Sequence, residues 1–272
     1  MNVLLIGDSG LVGKRLKGYL VGQGHYVTGV SRSSSDIAID CVLPLTKDAK
    51  NILGSCKFDS VVFSAFRIPK NKENDNDVLL SENLKIIACV KEIIDLVNPE
   101  SVINLSSMAV YPNMSGTYSE SSEVNPEVNW NSNYGRSKLS SEEVLTTLSQ
   151  EKRISVAHLR VTQLIDEEGS DLLQKNFDEE YDVNKQITVF ANGERESNFI
   201  TLNYLCEVIE LVMIKKLNGI YNAGDQQINY LDFAKKYILR KGGDPSQIKL
   251  VDKGYKTKVI IDCSKLKADL GY

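Results

Sequence analysis

Histidine is scarce in this chain: His25 and His158 are the only two in 272 residues. They lie far apart, so a histidine-built metal site and a Ser-His-Asp triad both lack material. The five cysteines, Cys41, Cys56, Cys89, Cys206 and Cys263, are odd in number, scattered, and include no C-x-x-C pair. That pattern argues against a zinc cluster or a disulfide frame and reads as thiols kept reduced. Positive charge is not in excess either; the net charge of −4 offers no basic field to hold nucleic acid. No apolar run approaches the ~20 residues that span a bilayer, so no membrane segment is expected. "NVLLI" at 2–6 is too short for a secretion signal, and a cytoplasmic location is the default expectation. The acidic stretches "IDEEGSD" and "FDEEYD" match no cation-loop spacing and read as solvated faces, so no metal is expected.

What is present is an ordinary globular balance, 42% hydrophobic and 25% charged, long enough for one large domain or one and a half ordinary ones. Short apolar runs alternate with amphipathic stretches. "NVLLI", "HYVTGV", "DIAID", "DSVVFSA", "SVINLS" and "ISVAHLRV" read as strands. "LVGKRLKGYLVGQG", "VLLSENLKIIACVKEIIDLV" and "SNYGRSKLSSEEVLTTLSQ" read as helices. Alternation over the first ~160 residues predicts an α/β, Rossmann-type doubly wound parallel sheet. The rhythm then weakens, with helices in "DLLQKNFDEEYDV", "NYLCEVIELVMIKKL" and "YLDFAKKYILRKGG" and strands in "QITVF", "GIYNAG" and "SQIKLVD". The expected layout is a cofactor-binding domain over 1–165 and a smaller C-terminal α/β substrate part over 166–272. A strand and helix return from the second to the first, and a cleft lies between. "RIPKNKENDND" at 67–77 is a candidate mobile loop beside that cleft.

Gly7, Gly10 and Gly13 fall between the first strand and the first helix. Glycine is entropically costly there unless the backbone must turn sharply or be closely approached. A helix N-terminus presents free N–H groups and a positive dipole end, where a pyrophosphate can sit. Gly7 would make the turn, Gly10 would admit the phosphates, and Gly13 would let the helix pack on the sheet. Ser9 in the loop, with Leu11 and Val12 in the first helical turn, completes this candidate cofactor cradle. An ordinary tight turn is the alternative, and the strand-turn-helix context argues against it.

The end of the second strand carries Ser31 and Arg32, with Ser33 and Ser34 as further donors, and no carboxylate until Asp36. A carboxylate there would accept from the 2′-hydroxyl of NAD, whereas a guanidinium pairs with a 2′-phosphate. NADP(H) is therefore expected over NAD(H), the alternative being a solvated surface arginine.

Tyr134 and Lys138 are four apart at the start of a predicted helix and project from one face. A phenol is too weak an acid at neutral pH unless a nearby ammonium lowers its pKa, which Lys138 is placed to do. Ser107 lies just past the fifth strand, at the edge of the sheet where such sites form, and can donate to a carbonyl or alkoxide oxygen. Together they make a hydride-transfer site, with Tyr134 as general acid/base. Alone, a Y-x-x-x-K pair is weak; its setting raises it.

The pieces "GDSGLVG", "SSMAVYP", "NPEVNWNSNYGRSK", "GIYNAG" and "DCSKLKADLGY" resemble the extended short-chain dehydrogenase/reductases, the superfamily of sugar-nucleotide epimerases, dehydratases and reductases. The resemblance implies that Ser107, Tyr134 and Lys138 are the catalytic triad, with Ser106 the other serine candidate. It implies that Asp40 meets the adenine, that Ser64, Ala65 and Phe66 pass the cofactor ribose, that Asn83 stands near the site, and that the chain is a homodimer.

The departures are as informative. Where the family carries an Arg-Asp pair this chain has Ser197 and Asn198, with Arg195 two residues back; toward the C-terminus Lys253 is the nearest cation to a second arginine. Arg195 and Lys253 are therefore the candidate substrate-binding cations. Met108 and Ala109 replace the Asp-Glu of the dehydratase branch and can do no proton chemistry. The expected activity is NADPH-dependent reduction of a keto group on a nucleotide sugar, as in the branch of dTDP-4-dehydrorhamnose reductase-like enzymes. A 4-epimerase and a non-catalytic NADP(H)-sensing protein are the alternatives.

Overall fold

The first strand divides the core. β1 (Asn2–Ile6) sends Leu4 and Ile6 into one apolar cluster and Val3 and Leu5 into another, all four fully buried. Burial on both faces is why the strand reads as a continuous apolar run. The computed structural model of the chain describes residues 1–70, 74–166 and 172–271.

In chain order follow α1 (Leu11–Gly22), β2 (Tyr26–Ser31), β3 (Ile37–Ala38), α2 (Lys47–Ser55), β4 (Ser60–Phe63), α3 (Asp77–Val97), β5 (Ser101–Ser107) and β6 (Gly116–Tyr118). Then come α4 (Ser132–Lys152), β7 (Ser155–Val161), β8 (Gln163–Ile165), α5 (Leu172–Asn184), β9 (Ile187–Phe190), β10 (Glu196–Thr201) and α6 (Leu202–Lys215). The chain closes with β11 (Gly219–Ala223), β12 (Gln226–Asn229), α7 (Tyr230–Arg240), β13 (Ile248–Val251), β14 (Val259–Ile261) and α8 (Ser264–Leu270). Seven strands form one parallel sheet in the order β11-β7-β5-β4-β1-β2-β3. One face is covered through Ile86, Val90, Ile93 and Leu145 of α3 and α4, the other through Leu16, Leu20, Leu205 and Ile209 of α1 and α6. This is the doubly wound architecture expected.

The helix boundaries follow local chemistry. Asn76 caps α3 by accepting from Leu79 N, and α3 stops at Asn98, whose φ of 43° is left-handed, just before Pro99. Helix α2 was not legible as a helix, since only Ala49 and Leu53 of its mixed sequence are buried; Thr46 caps it by accepting from Ala49 N. Of three smaller sheets, β12-β10-β8 and β13-β9 lie in the second half of the chain, and β14-β6 joins Gly116–Tyr118 to a late strand. A separate core of Phe177, Ile187, Val189, Phe233 and Tyr237 joins α5, β9 and α7. The strand β11 and the helices α6 and α8 return to the main sheet.

Candidate active site

The strand order reverses between β1 and β4, which opens a crevice at their C-terminal ends. A cavity of about 230 Å³ lies there, lined by Gly7, Ser9, Gly10, Ser31, Arg32, Asp40 and the run Ser64–Arg67. Gly7 has φ +102°, and a Cβ on it would lie 2.7 Å from Ala65 N; a Cβ on Gly13 would lie 2.0 Å from Gly7 O. The chain itself requires these two glycines. Gly10 is different: its φ is −75°, and a Cβ would make only a 3.4 Å contact with Gly7 O. As the N-cap of α1 it has no side chain to satisfy the helix, and the first turn holds no acid. The free N–H groups there suit a pyrophosphate. Leu11 is exposed and Val12 packs on the core, so their contribution to such a cradle is backbone only.

The end of β2 holds a residue that reading along the sequence missed. Asp8 Oδ1 accepts from Ser31 Oγ (2.6 Å) and Oδ2 from Ser34 Oγ (2.8 Å), with Lys17 Nζ at 3.5 Å. Lys17 also pairs with Asp36 at 2.6 Å, which accepts from Gly29 N. The Asp36 contact raises the Lys17 pKa, and Lys17 lowers that of Asp36. Ser31 and Ser34 are thus tied to Asp8, while Arg32 is exposed and has no carboxylate partner among the described residues. Only the room left by Gly29 admits the Asp8 side chain, since a Cβ there would lie 2.0 Å from Oδ2. Asp40 also faces the cavity and accepts from Val42 N.

Of the two serines ending β5, Ser106 is buried and donates to Glu142 Oε1 at 2.5 Å. Ser107 is half-buried, accepts from Ala109 N, and keeps its own hydrogen to donate. Tyr134 and Lys138 share a face of α4, with Lys138 Nζ 5.3 Å from the centre of the tyrosine ring. Lys138 Nζ donates to Leu105 O at 2.5 Å and lies over the Phe66 ring. Burial pushes the Tyr134 phenol up and the Lys138 amine well below its usual value; the nearby Glu142 carboxylate opposes the second shift. The lowering of the phenol expected from the sequence is thus reversed in this structure, because desolvation penalises the charged form of both groups. Asn83 is fully buried and lines neither cavity; it accepts from Arg67 N and donates to Ser137 Oγ, joining the end of β4 to α4.

A second cavity, about 690 Å³, is walled by Trp130, Phe177, Arg195, Tyr230, Lys253 and Tyr255. Arg195 Cζ lies 4.0 Å from the Trp130 ring centre and 4.7 Å from that of Tyr230. Burial lowers the Arg195 pKa, with Tyr230 opposing. The two candidate cations thus come together in one cavity. Ser197 and Asn198 are buried instead, and Asn198 Oδ1 accepts from Ile261 N. Pro69 and Lys70 also line this cavity, so the chain from Ser64 to Lys70 runs from one cavity to the other.

The model of the NAD dependent epimerase/dehydratase family matches residues 3–224. The chain belongs to this family. No curated protein matches it in sequence. Among solved structures it is similar to a dTDP-glucose 4,6-dehydratase from Bacillus anthracis in complex with NAD, at 15% identity and TM-score 0.80, covering 100% of this chain and 91% of that one. A UDP-N-acetylglucosamine 4-epimerase from Bacillus cereus gives 18% and 0.80 over 100% and 90%. A UDP-glucose 4-epimerase from Thermotoga maritima, solved with UDP-glucose, gives 18% and 0.81 over 100% and 93%.

This epimerase/dehydratase-family chain is therefore an oxidoreductase-type enzyme using a nicotinamide cofactor. No helix among the described residues is long and apolar enough to cross a membrane, and no cluster there could hold a metal. A third cavity of about 610 Å³, lined by Glu120, His158 and Lys265 among others, opens at the edge strand β11, away from the glycine loop and Tyr134. The expected mobile loop at 67–77 is tethered where it is described, by Arg67 to Asn83 and by Asp75 to α4; residues 71–73 lie outside the described residues. Of the two acidic stretches, 167–171 also lie outside them.

Beneath the site runs a buried network invisible to motif reading. Glu142 takes two bonds from Arg160, at 3.0 and 2.8 Å, and Arg160 donates to Tyr111 OH, which donates to Asn222 Oδ1. It engages Ser106 through Glu142, and Ser107 stands outside it.

Proposed function

We propose that this enzyme is an NADPH-dependent reductase of a keto group on a nucleotide-activated sugar of the 4-keto-6-deoxy type. The observation that carries the reading is Lys138, with Nζ 5.3 Å from the Tyr134 ring centre and over the ring of Phe66, a residue that lines the glycine-walled cavity, together with a larger aromatic-walled cavity that holds Arg195 and Lys253. The division into a cofactor part over 1–165 and a substrate part over 166–272 belongs to the same reading, as does a homodimer through α3 and α4.

The residues present fit the cofactor. Gly7 and Gly13 shape the turn, Gly10 keeps the α1 N–H groups open to phosphates, and Asp40 faces the adenine end. Arg32 would hold a 2′-phosphate, while the Asp8 charge is offset by Lys17 and two serine hydroxyls. When bound, the reduced nicotinamide supplies the hydride that reduces the carbonyl carbon. Ser107 donates to the carbonyl oxygen as charge develops there. Tyr134 gives its phenolic proton to that oxygen and is later reprotonated from water. Lys138 would hold the ribose hydroxyls, and in its protonated form, which Glu142 favours against burial, it would stabilise the tyrosinate. Arg195 and Lys253 pair with the substrate diphosphate, and Trp130 and Tyr230 wall the pocket around it. Met108 and Ala109 supply no acid or base for dehydration.

The test offers the purified protein NADPH or NADH with a panel of 4-keto-6-deoxy sugar nucleotides and follows loss of reduced-cofactor absorbance. NADPH consumed in preference to NADH, and lost in Tyr134→Phe, supports the reading. Interconversion of 4-epimeric sugar nucleotides without net cofactor consumption would replace it with an epimerase. Tight cofactor binding without either turnover would replace it with a sensor.

A further inference from the structure

The two helix N-termini flanking the site are treated in opposite ways. At α1 the first N–H groups are left without a side-chain cap. At α4 the local N-cap residue, Asn131, makes no side-chain cap bond, yet the N–H groups are not free. Asp75, far away in sequence, reaches them: Oδ2 accepts from Asn133 N at 3.0 Å and Oδ1 from Tyr134 N at 2.8 Å. Its backbone carbonyl also accepts from Asn133 Nδ2 at 3.2 Å. Counted from Asn131, these are the second and third helical residues, the donors that an N-cap side chain normally satisfies. The next residue, Asn76, caps α3 in the ordinary way, so two adjacent side chains close two adjacent helices.

We propose that Asp75 is a positioning residue that caps the catalytic helix from outside it and thereby fixes Tyr134 for proton transfer; this rests on the reading of Tyr134 as the general acid. The rest of α4 is held independently: Leu145 and Leu148 are buried in the main core and Glu142 is bound to Arg160. Losing the Asp75 cap therefore frees the first turn, where Tyr134 sits, without releasing the helix. Helix starts fray when their donors lack acceptors. A small displacement of an acid from its proton acceptor is costly in rate.

The experiment compares full-length wild type with Asp75→Ala and Asp75→Asn; asparagine keeps an acceptor oxygen. Hydrogen exchange in a peptide spanning 131–137 reads the cap directly. Asp75→Ala should exchange faster there and not in the body of α4, and Asp75→Asn should recover most of the protection. In turnover with the keto-sugar panel, kcat should fall about tenfold or more in Asp75→Ala. It should recover in Asp75→Asn, with cofactor affinity changed less than about twofold. A merely structural role would lower the melting temperature and speed exchange along all of α4, and that result overturns the proposal. So does unchanged exchange at 131–137, or wild-type kcat in Asp75→Ala. If wild type turns over nothing on the panel, the reductase reading falls on that result alone, and the exchange arm still decides whether Asp75 fixes the start of α4.

Discussion

Lys138 Nζ stands 3.2 Å from the centre of the Phe66 ring. Phe66 lies just past β4, in the run that lines the smaller cavity, and its ring stacks on Phe63 at 4.6 Å between centroids. Burial disfavours the charged lysine, and the face of the ring partly offsets that. Phe66→Leu keeps apolar bulk but removes the π-face. Losing about 0.5–2 kcal/mol of cation–π attraction should weaken cofactor affinity roughly 2- to 30-fold. Calorimetric titration with NADP⁺ checks this; unchanged affinity would mean that the ring only fills space.

The three glycines of the loop should separate under substitution. Gly13→Ala puts a Cβ 2.0 Å from Gly7 O, where backbone must move, so it should cost about 3 kcal/mol or more of stability. Gly10→Ala meets nothing closer than 3.4 Å at an ordinary φ. Stability should change by less than about 1 kcal/mol there, while NADP⁺ affinity should fall at least about tenfold because the methyl stands where the phosphates approach. Melting curves and cofactor titrations on the two variants read the split. Equal loss of stability in both would show that Gly10 also serves the fold alone.

These contrasts mark what was legible in the sequence. Strand alternation, the glycine turn and the Tyr134–Lys138 spacing are local patterns, and each lies where the pattern put it. Helix α2 was not legible because its buried face is only Ala49 and Leu53. Asp8, Asp75 and the Glu142–Arg160 pair escaped for a different reason. Each acts across tens of residues, from Asp8 to Ser31, from Asp75 to Tyr134 and from Glu142 to Ser106, and no spacing rule connects such partners before the sheet brings them together. Ser107 was chosen over Ser106 from the sequence by position alone; what the sequence could not show is that the Ser106 hydroxyl is already engaged with Glu142.

Trp130 is the sole tryptophan, and Arg195 lies over it at 4.0 Å. Its ring is also 6.2 Å from that of Tyr255 across the larger cavity. Nucleotide sugars binding to Arg195 should therefore change the intrinsic fluorescence saturably, whereas NADP⁺ in the smaller cavity should leave it almost unchanged. Removing the guanidinium in Arg195→Ala loses a charge-assisted contact of about 1.5–3 kcal/mol, so the dissociation constant for the sugar nucleotide should rise roughly 10- to 100-fold. A titration in which wild type and Arg195→Ala bind alike would move the diphosphate to Lys253 or out of this cavity.

The acid response should trace to His158, a residue that takes no part in the chemistry. It lies buried in β7, with Nδ1 3.0 Å from Asn104 Nδ2 and Nε2 3.0 Å from Thr146 Oγ1. Asn104 donates to Nδ1, so a second ring proton would meet a donor. Burial is the main cause that pushes its pKa from 6.5 down to about 4; Arg160 adds to the shift and Glu142 opposes it. Because the folded pKa lies below the unfolded one, the unfolded chain binds the proton first as pH falls. Above pH 6.5 the imidazole is neutral in both states and costs nothing. Between pH 6.5 and 4 stability drains away, by about 3 kcal/mol over the whole window, and below pH 4 the loss is complete. Urea denaturation at pH 7.5, 6, 5 and 4.5 should show this decline. In His158→Gln, which cannot titrate, the decline should be shallower by about that amount even if the variant starts lower at pH 7.5. Parallel declines in the two proteins would assign the acid sensitivity to the carboxylates, with Asp36, whose pKa Lys17 lowers, the first to examine by Asp36→Asn exchange.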